Sequence, residues 1–366
     1  MIYSGGISIT DREIEYVNDA LKTGWDKNHD SYIKRFEETF ANYIGVKYAR
    51  AVSGGTQALL LGLATLDIGP GDEVILPDLT YFACSDVILE LGATPVFADV
   101  LMDTWCIDPV SIKSNITPRT KAIMPVWLYG NSPEMDEIKL IAKQYNLAII
   151  EDSCPAVGSM YGGEMAGSFG DFGCFSFHGS KIMTTGFGGM IVTDNKELYD
   201  KMMWINNHGE NAHLPFRFWQ NRAGYSFDLS NISCAMGLAQ IERIEELVSA
   251  KRQIFIWYKD RLGDIEGLDM NYENMYVSSS NMWMTSIILN RDFPIGRDAL
   301  IRGLKRMEID TRPFFFPISE FPMYERTYTP NAHHLGYRGL NLPSGVQRTE
   351  DEIDYISSCV RKLLCA

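Results

Sequence analysis

No apolar run in this chain approaches the roughly 20 residues that a helix needs to cross a bilayer. The N-terminus, MIYSGGISITDREIEYV, has no basic stretch leading into an apolar one. The expectation is a cytoplasmic chain that is neither exported nor membrane-spanning. Positive charge is also scarce: 33 Lys and Arg stand against 47 Asp and Glu, the net charge is −14, and no basic run exceeds Lys251-Arg252. Nucleic acid and anionic membrane surfaces are therefore not expected as partners. Cys84, Cys106, Cys154, Cys174, Cys234, Cys359 and Cys365 include no CxxC pair, and their odd number suits reduced thiols. His178, His208, His213, His333 and His334 make no HxH or HExxH pattern, so no metal site is expected. Internal repeats and low-complexity segments are missing too. A chain of 366 residues, 46% hydrophobic and 22% charged, is long enough for a sizeable core and two lobes.

What is there centres on residues 147–190, LAIIEDSCPAVGSMYGGEMAGSFGDFGCFSFHGSKIMTTGFGGM. The apolar run 147–150 reads as a buried parallel strand that delivers Glu151 and Asp152 at its end, the edge where open α/β sheets bind ligands. A second strand, 174–177, leads to Lys181 and the small, hydroxylated loop Thr184-Thr185-Gly186. A carboxylate and a lysine emerging from neighbouring strands suit pyridoxal phosphate chemistry. The aldehyde takes an amine, and the pyridine nitrogen takes a carboxylate that keeps it protonated and electron-withdrawing. On two residues alone, a loop lysine and a helix-capping aspartate remain the plainer reading.

Along the chain, Thr10 with Glu13 predicts a capping box for a helix over 11–23, stopped by Gly24. A helix from about 32, with Phe36, Phe40 and Ile44 on one face, ends at Gly45. Strand 48–52 runs into Ser53-Gly54-Gly55-Thr56 and the apolar helix 57–66, a helix N-terminus able to bind an anion, although a tight turn alone needs no ligand. Strand 73–76 precedes a helix expected to begin at Thr80-Tyr81. Strands 94–98 and 121–127 follow, then a helix capped by Ser132 with Pro133 at its first position. The βα alternation argues for a mostly parallel sheet with helices on both faces. From Ser230 one long helical pattern reaches Tyr258, and the remainder alternates strand and helix as a smaller α+β lobe.

The segments EDS…GSFGD..CFSF..SK..TTG.GGM, SGGTQALLLGLATLDIGPGDEVILP, GYSFDLSNISCAMGLAQIERIE and GLNLPSG closely resemble the nucleotide-sugar aminotransferases of the DegT/StrS family, over nearly the whole chain. The resemblance implies an aspartate aminotransferase-like α/β fold, with a large cofactor-binding domain (1–245) and a small C-terminal domain (246–366). It implies pyridoxal 5'-phosphate as cofactor, a homodimer with shared active sites, a keto-sugar substrate linked to a nucleotide, and glutamate as amino donor. By motif, Lys181 is the Schiff-base lysine, Asp152 the pyridinium partner and Tyr81 the ring stacker. Gly54, Gly55, Thr56 and Ser176 fall in the phosphate clamp, which Ser226 of the neighbouring subunit would complete.

Several positions depart from the family pattern: Gly54 and Ser226 where Asn is usual, Pro155 where Gln or Glu is usual, and Trp127 and Phe316 where related sequences carry His. These changes imply a smaller, more closed site, with Trp127, Phe316, Arg312 and Arg222 touching the substrate and Arg217 nearby. A small phosphorylated ketone such as dihydroxyacetone phosphate is therefore a second acceptor class. A non-enzymatic regulator that keeps the fold is a third reading. Lys181 argues against the family's dehydratases, which replace this lysine with histidine.

Overall fold

Local signals set the first elements of the computed structural model, which describes residues 1–210, 218–273, 277–289 and 293–364. Thr10 and Glu13 form the expected capping box on helix Asp11–Thr23. Helix Ser31–Ile44 ends at Gly45, whose φ of 84° is a left-handed conformation that glycine adopts without a Cβ penalty. Phe36 and Phe40 on its buried face meet Phe175 and Phe177 at ring separations of 5.0–5.4 Å. Burial of each such ring stabilises the fold by about 2–3 kcal/mol as an upper estimate.

The central sheet has 7 strands, ordered Tyr48–Val52, Gly189–Thr193, Phe172–Ser176, Ala148–Asp152, Thr120–Ile123, Glu73–Pro77, Thr94–Ala98. Gly189–Thr193 runs antiparallel to both its neighbours, and the other pairings are parallel. Helices Ser31–Ile44 and Asn231–Ile241 pack on one face, helices Gly55–Thr65 and Lys196–Asn206 on the other. With both faces covered, strands such as Glu73–Pro77 are buried along their whole length.

The last third of the chain builds a second core on an antiparallel sheet ordered Leu268–Met270, Ser286–Leu289, Gly339–Asn341, Arg312–Pro313. Ile2 bridges to Ile309 and packs against this core, so the N-terminal residues join the C-terminal lobe. Two carboxylates, Asp78 buried and Asp99 half-buried, tie this lobe to the edge of the large sheet. Asp78 accepts from Ser319 N and Oγ, both at 2.7 Å, and from the Thr329 hydroxyl. Asp99 accepts from Asn331 N and Ala332 N, supplying the acceptors that the first turn of helix Pro330–Arg338 lacks.

Some boundaries differ from those the sequence predicts. The single helix expected from Ser230 is two, Asn231–Ile241 and Ile244–Leu262, because the chain turns at Glu242-Arg243, where Arg243 pairs with Glu13 and Glu246. The helix expected at Ser132-Pro133 begins at Met135, since the Ser132 hydroxyl bonds the Pro133 carbonyl instead of an amide. Helix Ala83–Glu90 starts after Tyr81, and strand Thr120–Ile123 stops short of Trp127. Arg217, His213 and Cys365 lie outside the described residues.

Candidate active site

The parallel strands end on one edge of the sheet, and four of the loops there supply the site together with residues of the C-terminal lobe. Asp152 closes strand Ala148–Asp152 and is 5% exposed. Its Oδ1 accepts the Cys154 amide at 3.0 Å and its Oδ2 the Cys84 thiol at 2.9 Å, so one rotamer is held from two sides. Burial and the Asp152 charge push the Cys84 thiol well up, which keeps it protonated as the donor. Glu151, one residue earlier, faces the other way by strand alternation. It accepts from Phe169 N, Gly170 N, Gly167 N and Trp127 Nε1 at 2.7–3.0 Å, and is a buried scaffold carboxylate.

Lys181 follows strand Phe172–Ser176 and is half-buried, its Nζ 4.0 Å from the ring centroid of Trp283. Burial lowers its amine pKa; Cys154, Asp152 and Cys84 oppose the shift, and Arg312 adds to it. The next loop, Ser53-Gly54, opens helix Gly55–Thr65, whose N-terminus carries no side-chain cap. Its first amides point outward with the positive end of the helix dipole. A Cβ on Gly55 would stand 2.7 Å from Cys154 Sγ and 2.9 Å from Ser176 Cβ, so only glycine lets this helix end approach the Asp152 and Ser176 loops. Gly54 and Thr56 lie in this turn, and Ser176 is half-buried beside it.

Tyr81, 46% exposed, leaves the strand ending at Pro77, with its ring 5.7 Å from Phe315. Phe315 and Arg312 come from the C-terminal lobe. Arg312 is exposed, its charge acts on Lys181, His178 and Lys251, and it makes no ion pair among the described residues. Phe316, 41% exposed, lies against Arg297 at 5.4 Å.

Two predicted substrate contacts are not brought here. Trp127 has 0% exposure and packs among Ile75, Ile123 and Ile149, with its indole on Glu151, so no ligand can touch it. Arg222 pairs with Asp67 at 3.7 Å and lies over Trp204. Asp67 follows the C-terminal end of helix Gly55–Thr65, about 16 Å of helix from the Gly55 turn. Ser226 is exposed, next to Phe227, whose carbonyl accepts from Ser53 N. The sequence reading missed Trp283, which sits in an apolar strand pattern with no local mark, and Cys84, taken only as a reduced thiol.

An amine, a fixed buried carboxylate, an uncapped helix N-terminus and an exposed aromatic ring converge on one sheet edge. These are the four groups that pyridoxal phosphate requires for its aldehyde, ring nitrogen, phosphate and ring face, so the residues present fit the cofactor. Fold and site define a pyridoxal phosphate-dependent aminotransferase. Over residues 7–361 the chain matches the DegT/DnrJ/EryC1/StrS aminotransferase family, and it belongs to that family. It is 40% identical over 357 residues to a GDP-perosamine synthase of Escherichia coli O157:H7, covering 97% of this chain and 96% of that one. A GDP-perosamine synthase of Vibrio cholerae is 36% identical, with 97% and 96% covered. Among solved structures, a putative sugar aminotransferase from Streptococcus pneumoniae in its PMP form superposes with a TM-score of 0.92, at 26% identity, covering 99% of each chain.

Proposed function

We propose that this aminotransferase places an amino group on a nucleotide-linked 4-keto-6-deoxy sugar, with glutamate as donor, in the cytoplasmic assembly of a surface polysaccharide. Full-length similarity to GDP-perosamine synthases supports that acceptor class. The observation that carries the reading is Arg312, an exposed guanidinium with no ion pair among the described residues, whose field reaches Lys181. In a chain of net charge −14, such a group supplies the local attraction that a diphosphate needs, and its planar fork suits phosphate oxygens.

Bound pyridoxal phosphate supplies the electron sink through which an amino group passes from donor to acceptor. Lys181 would hold the cofactor covalently and, once displaced by the incoming amine, its Nζ, kept toward the neutral amine by burial, would take up and return the proton at the reacting carbon. Asp152 keeps a proton on the pyridine nitrogen. The amides of Gly55 and Thr56, with Ser176, hold the phosphate, Gly54 leaves room for it, and Tyr81 covers the ring. The active unit is a homodimer in which Ser226 of one subunit approaches the phosphate of the other, and Phe316 with Arg312 lines the acceptor side.

The small phosphorylated ketone depended on Trp127 and Phe316 closing the site. Trp127 is buried in the core and Phe316 is open at the rim, so that reading loses its support. The decisive experiment loads the enzyme with the aminated cofactor and offers nucleotide-linked 4-keto sugars beside small keto-phosphates, following the return of the lysine-bound absorbance. Return with the nucleotide sugars, and a raised KM in Arg312→Ala, is expected. Return only with keto-phosphates would overturn the acceptor class.

A further inference from the structure

The ring beside Lys181 belongs to Trp283, which is held by several hydrogen bonds. Trp283 is 5% exposed, and its indole Nε1 donates to the carbonyl of Ser180, the residue before the lysine, at 2.7 Å. Its backbone N–H donates to Asn281 Oδ1 at 2.9 Å, and its carbonyl accepts from Lys251 Nζ at 2.9 Å. Asn281, fully buried, donates to the carbonyls of Pro155 and Val157, both at 2.9 Å, in the loop that leaves Asp152. The backbone of Trp283 is therefore held on both sides and its indole from one edge, and Lys181 Nζ lies over the ring at 4.0 Å from its centroid.

A core role alone explains the tilted contact of Trp283 with Tyr129, at a ring separation of 6.1 Å, but not an amine 4.0 Å from the ring centroid. The negative face of an indole attracts an ammonium, and more strongly when water is excluded. A lysine that gives up its covalent partner needs a fixed place close to the reacting atoms, because a swinging side chain of this length carries large rotamer entropy.

We propose that Trp283 is a positioning residue for Lys181: its ring face is the seat that the lysine amine occupies whenever it is not bonded to the cofactor. The proposal rests on the assignment of Lys181 as the cofactor lysine. Besides the ring, the titratable and charged groups acting on this amine are Asp152, Cys154, Cys84, Arg312 and His178. Burial and Arg312 favour the neutral amine, whereas Asp152 and the ring favour the ammonium.

The test uses the cofactor-free protein, trace-labelled with acetic anhydride through the alkaline range, with acetylation of the Lys181 peptide read by mass spectrometry. Trp283→Leu keeps an apolar cover but removes the ring face, so the titration midpoint of Lys181 should fall by about 0.5–1 unit. Trp283→Phe should stay near wild type. The wild-type sequence grown with fluorotryptophan, which weakens the ring face without changing its shape, should fall between them, and it serves should the leucine variant not fold. In the holoenzyme, lysine-bound absorbance should return more slowly after cofactor is added to Trp283→Leu. Identical midpoints in the wild-type, leucine and fluorinated proteins would overturn the proposal. Borohydride reduction separates the two readings: a label on another lysine removes Lys181 from the chemistry, while the midpoints still report the Trp283 contact.

Discussion

Cys84 donates its thiol hydrogen to Oδ2 of Asp152 at 2.9 Å, while the opposite carboxylate oxygen takes the amide of Cys154 at 3.0 Å. The carboxylate proposed as the partner of the pyridine nitrogen is thus held by one side chain and one backbone group. Asp152→Asn should retain some cofactor and lose about 100-fold or more in turnover, because a neutral amide cannot hold the ring nitrogen protonated. Cys84→Val, which fills the space without a donor, should cost about five-fold, the equivalent of roughly 1 kcal/mol, and Cys84→Ser should restore it. Steady-state rates and the pH dependence of the bound-cofactor absorbance check both; valine and serine variants alike in both readouts would remove the thiol from this role.

Gly55→Ala tests the helix N-terminus. The added methyl meets Cys154 Sγ and Ser176 Cβ inside contact distance, so the helix end must back away from the loops that carry them. Cofactor affinity, measured by titrating the cofactor-free protein, should weaken by about ten-fold or more, some 1.4 kcal/mol. Stability should change less than affinity, since the strain falls on one turn.

Lys251 offers a pH test. Its partners among the described residues are the carbonyls of Trp283 and Ser344, and burial, with Arg312 adding to it, lowers its pKa to about 7. The folded value lies below the unfolded one, so between about 7 and 10.5 the unfolded chain binds more protons than the folded one. Stability conferred at this position should therefore rise with pH across that window, by at most about 1.4 kcal/mol per unit. The melting temperature of wild type relative to Lys251→Met should rise as pH increases across that window; a constant difference would contradict it.

Asp78 tests the clamp between the lobes. Asp78→Ala leaves Ser319 N, Ser319 Oγ and Thr329 Oγ1 without their buried acceptor, a loss of about 2–4 kcal/mol. The segment 318–329 should become the first site of limited proteolysis, and the melting temperature should drop. Unchanged nicking would show that Asp99 alone holds this segment.

Much of this molecule is legible in its sequence because the deciding interactions are local. Thr10 and Glu13 cap one another three residues apart, and Gly45 ends its helix by its own conformational freedom. The strand ending at Asp152, the turn at Gly55 and Lys181 stand out since a buried parallel strand is a continuous apolar run and its end is where ligands bind. Tertiary structure alone decided which side chains face that end. Glu151 and Asp152 are adjacent and chemically alike, and strand alternation sends one to the core and one to the site. Trp127 and Trp283 both sit in apolar stretches, and only packing distant in sequence buries the first within the large domain behind Glu151 and brings the second, from the C-terminal lobe, to Lys181. Cys84 meets Asp152 across 68 residues, and Asp78 meets Thr329 across 251, because sheet order, which no local pattern encodes, brings their strands and loops together.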